Sequence, residues 1–143
     1  MSENSRIKTA IKASLLKAKK IFEDKNEAIN RISSLFSEVQ EEMNNEIVFE
    51  TSIISEGGQY ITYGVFARNG NFIDNPKKLL LRYSFGKPNS FPMEIDLPGY
   101  GIYACSSLSE VNDTLETIIG IEDFALNIIA ISEEEEAGPY IPF

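Results

Sequence analysis

IVFETSIISEGGQYITYGVFA, residues 47–67, is the stretch that decides the fold. Ile47 to Ile54 is rich in β-branched and aromatic residues, Gly57-Gly58 supplies a turn, and Tyr60 to Ala67 reads as the returning strand of a hairpin. Asn69-Gly70 follows as a second hairpin signal. A third strand is expected at 79–85, after Pro76, and a loop over Gly86 to Pro92. Short strands at 93–96 and 101–105 flank Pro98-Gly99. Strands this close in sequence pair most economically as an antiparallel meander of four to five strands.

Upstream of the hairpin the periodicity changes. Apolar residues fall at Ile11, Leu15, Ala18, Phe22, Ile29, Ile32, Phe36, Val39 and Met43, with Lys25 at the one missing seam position. That spacing alternates threes and fours, the mark of a helical seam. No Gly or Pro occurs before Gly57, and Ser5 is the expected N-cap. A single helix of about 38 residues would span roughly 57 Å. The alternative is a helical hairpin broken near Glu23 to Asn26, with Asp24 or Asn26 capping its second helix. The unbroken seam favours one continuous helix. Packing of the seam on the sheet is expected ahead of coiled-coil pairing, because Lys25 would weaken a dimer or fix its register.

Downstream, Ser107 and Glu110 have capping-box spacing, and Val111, Leu115, Ile118 and Ile119 form a helical stripe that Gly120 should stop. Residues 124–131 fit a helix face or a buried strand, and the strand is slightly preferred. The expected fold class is α+β: a long N-terminal helix on an antiparallel sheet, with a shorter C-terminal helix. The whole of 1–143 reads as one domain, with a helical arm at 1–45, sheet plus helix at 46–132, and an acidic, extended tail at 133–143.

Composition narrows the chemistry. The chain has 143 residues, no histidine and one cysteine, Cys105. Lack of histidine removes the commonest general base and the commonest metal ligand. One thiol makes neither an internal disulfide nor a multi-cysteine zinc site. No apolar run approaches the ~20 residues that span a bilayer. The amphipathic, basic start resembles a mitochondrial presequence in composition, but its seam continues past residue 22, unlike a removable peptide.

Charge is divided along the chain. Residues 1–20 carry six basic side chains (Arg6, Lys8, Lys12, Lys17, Lys19 and Lys20) against one acid, Glu3, a net of +5. The other 123 residues carry 7 basic and 21 acidic side chains, a net of −14. The arm is expected to be a solvated face, or to pair with the acidic body if the helix folds back, rather than to meet nucleic acid or membrane. Glu38, Glu41 and Glu42 share a helix face and repel one another, with Glu46 nearby. Glu133, Glu134, Glu135 and Glu136 form a run, and Glu110, Asp113 and Glu116 lie on the outer face of the second helix.

Other motifs carry less. Glu94 and Asp96 share one strand face but match no calcium loop, so no metal site is expected. Cys105 precedes a helix N-terminus, which can activate a thiol, yet a buried small residue is the simpler reading. Gly99-Tyr100-Gly101 reads as turn glycines. On the second strand, Tyr60, Thr62, Gly64, Phe66 and Arg68 share the face opposite Ile61, Tyr63 and Val65. That face suits an interface or coverage by the long helix.

The functional expectation is a non-enzymatic acidic inhibitor, an immunity protein or antitoxin that neutralises a basic, nuclease-like toxin. Glu38, Glu41, Glu42 and Glu133 to Glu136 are its contact candidates. The alternative is a homodimeric chaperone for a secreted effector, and the third a small enzyme using carboxylates. The leading reading implies no cofactor and no catalytic residue. It implies a basic protein partner, no nucleic acid or membrane, a monomer or homodimer, and a cytoplasmic, bacterial setting.

Overall fold

The computed structural model describes residues 3–57, 60–86 and 90–137. Helix α1 (Glu3–Glu42) leads into five strands: β1 (Ile47–Gly57), β2 (Tyr60–Asn69), β3 (Lys78–Gly86), β4 (Ser90–Leu97) and β5 (Gly101–Cys105). Helices α2 (Leu108–Ile119) and α3 (Glu122–Ser132) follow. The strands form one sheet in the order β1-β2-β3-β4-β5, every neighbour antiparallel. The architecture is α+β, as the strand grammar predicts.

The sheet buries one face. Val65 and Ala67 of β2, Leu81, Tyr83 and Phe85 of β3, and Met93, Ile95 and Leu97 of β4 line it at the period of two that a pleated strand imposes. Ala28, Ile32 and Phe36 of α1 pack there, with Val111, Leu115 and Ile118 of α2 and Phe124, Ile128 and Ile131 of α3. The long helix therefore covers the inward face. The opposite face, with Thr62, Gly64, Phe66 and Arg68, is left without a helix; the Tyr60 side chain lies outside the described residues. Between Val65 and Phe66 the β2–β3 register shifts, pairing them with Leu81 and Leu79 and leaving Leu80 in a bulge.

The long helix is continuous, a 40-residue element about 60 Å in length. Asn44 and Asn45 end it in left-handed conformations (φ 53° and 62°), which asparagine tolerates better than most residues. The Asn45 N–H donates to the Gln40 carbonyl at 3.0 Å, closing the turn into β1.

Several expectations change. Ser5 lies inside the helix, which already runs from Glu3, so it is not the N-cap. The seam packs on the body only from about residue 28; every residue from 3 to 23 is exposed. The arm does not fold back on the acidic body, and among the described residues Lys20 is the only one of its cations in an ion pair, with Asp24 at 2.9 Å. Lys25 sits in the seam with its Nζ 5.6 Å from the centroid of the Phe85 ring. Residues 124–131 are helical rather than a strand, so two short helices follow the sheet. The buried residues Phe124, Ile128 and Ile131 are four and three apart, and β5 already closes the sheet edge.

The turn chemistry also differs. Strands β3 and β4 pair out to Gly86 and Ser90, so the expected 86–92 loop is shorter; residues 87–89 lie outside the described ones. Of the Gly57-Gly58 turn, Gly58 is likewise undescribed, but Gly57 pairs with Tyr60. Asn69-Gly70 is no two-residue hairpin turn, because β3 starts only at Lys78. Asn69 is instead buried. Its side-chain amide donates to the carbonyls of Ile131, Ser132 and Glu134 at 3.2, 3.0 and 3.1 Å, and its Oδ1 accepts from the Asn71 N–H at 2.8 Å. A Cβ on Gly70 would lie 1.8 Å from the Asn45 carbonyl oxygen, so the glycine is required by close approach. Gly120 caps α2 with an ordinary helical φ of −81° rather than a left-handed one. The run Glu133–Glu136 is tied to the body rather than hanging as a tail: Asn75 donates to the Glu135 carbonyl at 3.0 Å and accepts from the Ala137 N–H at 2.7 Å. Residues 138–143 of the expected tail lie outside the described residues.

Candidate functional site: an acid-walled groove and an acidic end

The second half of α1 lies beside α2 and α3 without closing on them. Two hollows of about 390 and 460 Å³ run along this seam and share Leu35, Glu38 and Ile119. The larger has an apolar floor that includes Val39, Ile128 and Ile129. Carboxylates stand along the walls: Glu27 and Glu116 at one end, Glu38 in the middle, Glu42 at the other. Helical geometry explains the mixture, since Leu35 and Val39 lie one turn apart on the floor while Glu38 and Glu42 lie one turn apart on the wall.

Charge balance in the groove is one-sided. Arg31 forms an ion pair with Glu27 at 3.2 Å and places its Nη1 3.5 Å from the Leu108 carbonyl. Glu38, Glu42 and Glu116 form no ion pair among the described residues.

The other predicted contact residues gather at one end. Glu41 is exposed, lies about 100° around α1 from Glu42 and lines neither hollow. The Asn69-Gly70 dipeptide is the knot that joins α1's exit to the acidic run. The Gly70 N–H donates to the Glu46 carbonyl at 2.8 Å, and the Asn69 amide holds the Glu134 carbonyl. Glu134 forms an ion pair with Lys78, whereas Glu133, Glu135 and Glu136 are exposed and unpaired among the described residues. Thus Glu41, Glu42 and Glu46 share one end of the molecule with Glu133–Glu136, while Glu38 extends the patch into the groove.

Sequence reasoning missed the groove itself and the two buried asparagines that anchor the acidic run. Ile119 and Ile129, beside the buried Ile118 and Ile128, carry the available signal: a helix that faces one core needs only one of two adjacent large apolar residues.

The remaining candidates resolve individually. The Cys105 side chain is fully buried, its Sγ is 3.3 Å from the Thr114 hydroxyl, and burial pushes its thiol pKa up. It is therefore not activated by the following helix, whose cap uses the predicted residues: the Glu110 N–H donates to Ser107 Oγ at 3.3 Å, and the Glu110 carboxylate accepts from the Ser106 N–H. Asp96 pairs with Arg82, its cross-strand neighbour, and Glu94 is exposed. Among the described residues no three His, Cys, Asp or Glu side chains gather as a metal site, and no helix is long and apolar enough to cross a membrane. Gly99 and Gly101 take positive φ values of 88° and 134°, as turn glycines do. Between them Tyr100 donates to Asp123 at 2.6 Å. No protein-family model, curated protein or solved structure matches the chain.

Proposed function

We propose that this protein is a non-enzymatic inhibitor that binds one basic protein, in the manner of an immunity protein or antitoxin that neutralises a nuclease-like toxin in the bacterial cytoplasm. The observation that carries this reading is the gathering of largely unpaired carboxylates at one end, Glu41, Glu42 and Glu46 beside Glu133, Glu135 and Glu136. Like charges held together lower stability, and a cationic partner relieves that repulsion. A nuclease needs a positive cleft for its phosphate backbone, and a compact acidic body steers quickly to such a cleft and occludes it. The anchoring of the acidic run by Asn69 and Asn75 supports the reading, because pre-ordered charges bind with less loss of entropy than a loose tail.

The test is capture of partners from native-host lysate on the immobilised chain at low salt, with mass spectrometry and then a nuclease-inhibition assay on the recovered protein. The expected partner is basic, inhibited by the chain, and released as salt rises from about 0.1 M to 1 M, where screening shortens from ~10 to ~3 Å. Glu41→Lys with Glu135→Lys should weaken it together. Retention indifferent to salt and to both substitutions would overturn the proposal. A second reading, a homodimeric chaperone for a secreted effector, is favoured by the apolar floor of the groove. Binding of an unfolded apolar segment, without inhibition of any basic protein, would select it.

A further inference from the structure

The first half of α1 is an amphipathic helix with nothing packed on it. Its apolar stripe, Ile7, Ile11, Leu15 and Phe22, stands in solvent, with Leu15 64% exposed. Residues 3–23 extend about 32 Å from the body. Lys8, Lys12 and Lys19 run along one side of the stripe, Arg6 and Lys17 lie further round the helix, and none of the five forms an ion pair among the described residues. Elsewhere on the same molecule is a surface of opposite character. The groove shows Ile119 and Ile129 at 39% and 45% exposure between the unpaired Glu38, Glu42 and Glu116. Its α1 wall, from Glu27 to Met43, is about 26 Å long.

We propose that the arm of one copy seats in the groove of a second copy, and reciprocally, to make a closed two-fold dimer. Three features select this occupant. The arm and the groove wall belong to one unbroken helix, so a chain cannot lay its own arm beside its own wall. The apolar stripe, the cations and the length of the arm match the floor, the carboxylates and the length of the groove. Antiparallel α1 helices related by a two-fold axis near residue 24 then place the +5 half of each copy along the acidic half of the other. Arg6, Lys8 and Lys12 fall beside Glu38 and Glu42, while Lys19 and Lys20 fall near Glu27 and Glu116. Arm-to-arm pairing alone would instead set two +5 segments together, and an anionic membrane would repel the −14 body. The seated arm covers Glu38 and Glu42 and leaves Glu41 and the Glu133–Glu136 run open, so Glu41→Lys with Glu135→Lys reads partner binding separately from the dimer.

The test uses the full chain in light scattering and sedimentation. The single copy has a mass of 16.0 kDa, so twice that mass, about 32 kDa, is expected. Ile11→Glu and Ile129→Glu, both at exposed positions, should each weaken the dimer about tenfold or more, with circular dichroism unchanged. Lys8→Glu with Lys12→Glu should weaken it, as should Glu38→Lys with Glu42→Lys, and the four together should restore it. Disulfide trapping fixes the geometry: a Leu15→Cys copy mixed with an Ile119→Cys copy should cross-link. A monomer at ~100 μM, a concentration at which even micromolar dimers are largely assembled, overturns the proposal. So does a Leu15→Cys copy that links only to itself. So does co-sedimentation with phosphatidylglycerol vesicles that Ile11→Glu abolishes in a protein otherwise monomeric.

Discussion

The Asn69 side-chain amide donates to the Ile131 carbonyl at 3.2 Å, tying the end of β2 to the end of α3. Two further carbonyls, of Ser132 and Glu134, share the same donor group. Carbonyls at a helix C-terminus have no partner within the helix; the amide serves those of Ile131 and Ser132, and the Glu134 N–H also donates to the Ile131 carbonyl at 3.3 Å. The amide also fixes where the acidic run leaves the body.

Asn69→Ala should therefore cost about 2–3 kcal/mol, because it takes a buried donor group away from three carbonyls. Gly70→Ala should cost at least as much, since the added methyl meets the Asn45 carbonyl oxygen and the β2 end must move. Urea denaturation measures both. A loss below half a kcal/mol in Asn69→Ala would show that the amide is not what holds α3.

Phe36 and Phe22 occupy the same helical seam with opposite fates. Phe36 is 3% exposed, with its ring 4.9 Å from that of Phe49, whereas Phe22 is 55% exposed. Phe36→Ala should cost about 3–5 kcal/mol. Phe22→Ala should change the stability of a single copy by no more than about half a kcal/mol. Thermal unfolding at low protein concentration reads both, and equal losses would mean that the arm folds back on the body.

Tyr83 is fully buried and its hydroxyl has no hydrogen-bond partner among the described residues. Burial, with a smaller contribution from Tyr63, pushes its pKa from 10.0 up to about 12. The native state therefore holds this proton more tightly than the unfolded chain does. Its contribution is fully present below pH 10 and is lost as pH rises from 10 to about 12, a loss of roughly 2–3 kcal/mol. Tyr83→Phe should flatten that alkaline decline. At neutral pH it should change stability by less than about 1 kcal/mol, because no hydrogen bond is lost. Denaturant curves at a series of pH values check both effects.

Cys105 should react slowly with a thiol reagent in the native state. Its side chain is buried and its pKa is raised, so access and thiolate population are both low. Labelling at neutral pH should follow unfolding, accelerating sharply near the denaturation midpoint. Rapid labelling of the native protein would contradict the burial.

The α+β fold, five strands and a continuous first helix were legible because each rests on local periodicity and turn chemistry. Ile47 to Ala67 set β-branched and aromatic residues on both sides of a Gly-Gly turn, and Ile11 to Met43 keep a helical seam with no Gly or Pro to break it. The acids of the candidate site were legible as residue types, and Glu38 with Glu42 as neighbours on one face. Their assembly with Glu133–Glu136 was not, because it depends on hydrogen bonds from Asn69 and Asn75 across 65 and 60 residues of chain.

The helix at 122–132 was decided by the tertiary structure for a related reason. An octet that is apolar but for Asn127 satisfies either period locally, and only the place left on the sheet's inward face chooses between them. By itself the sequence determined the first helix, the five strands and the helix after them, their order, and the +5 and −14 division of charge. Only the tertiary structure decided where the long helix leaves the body. A seam records that a face is apolar but not how far the partner surface extends, and here that surface stops near Ala28, leaving the basic half in solvent.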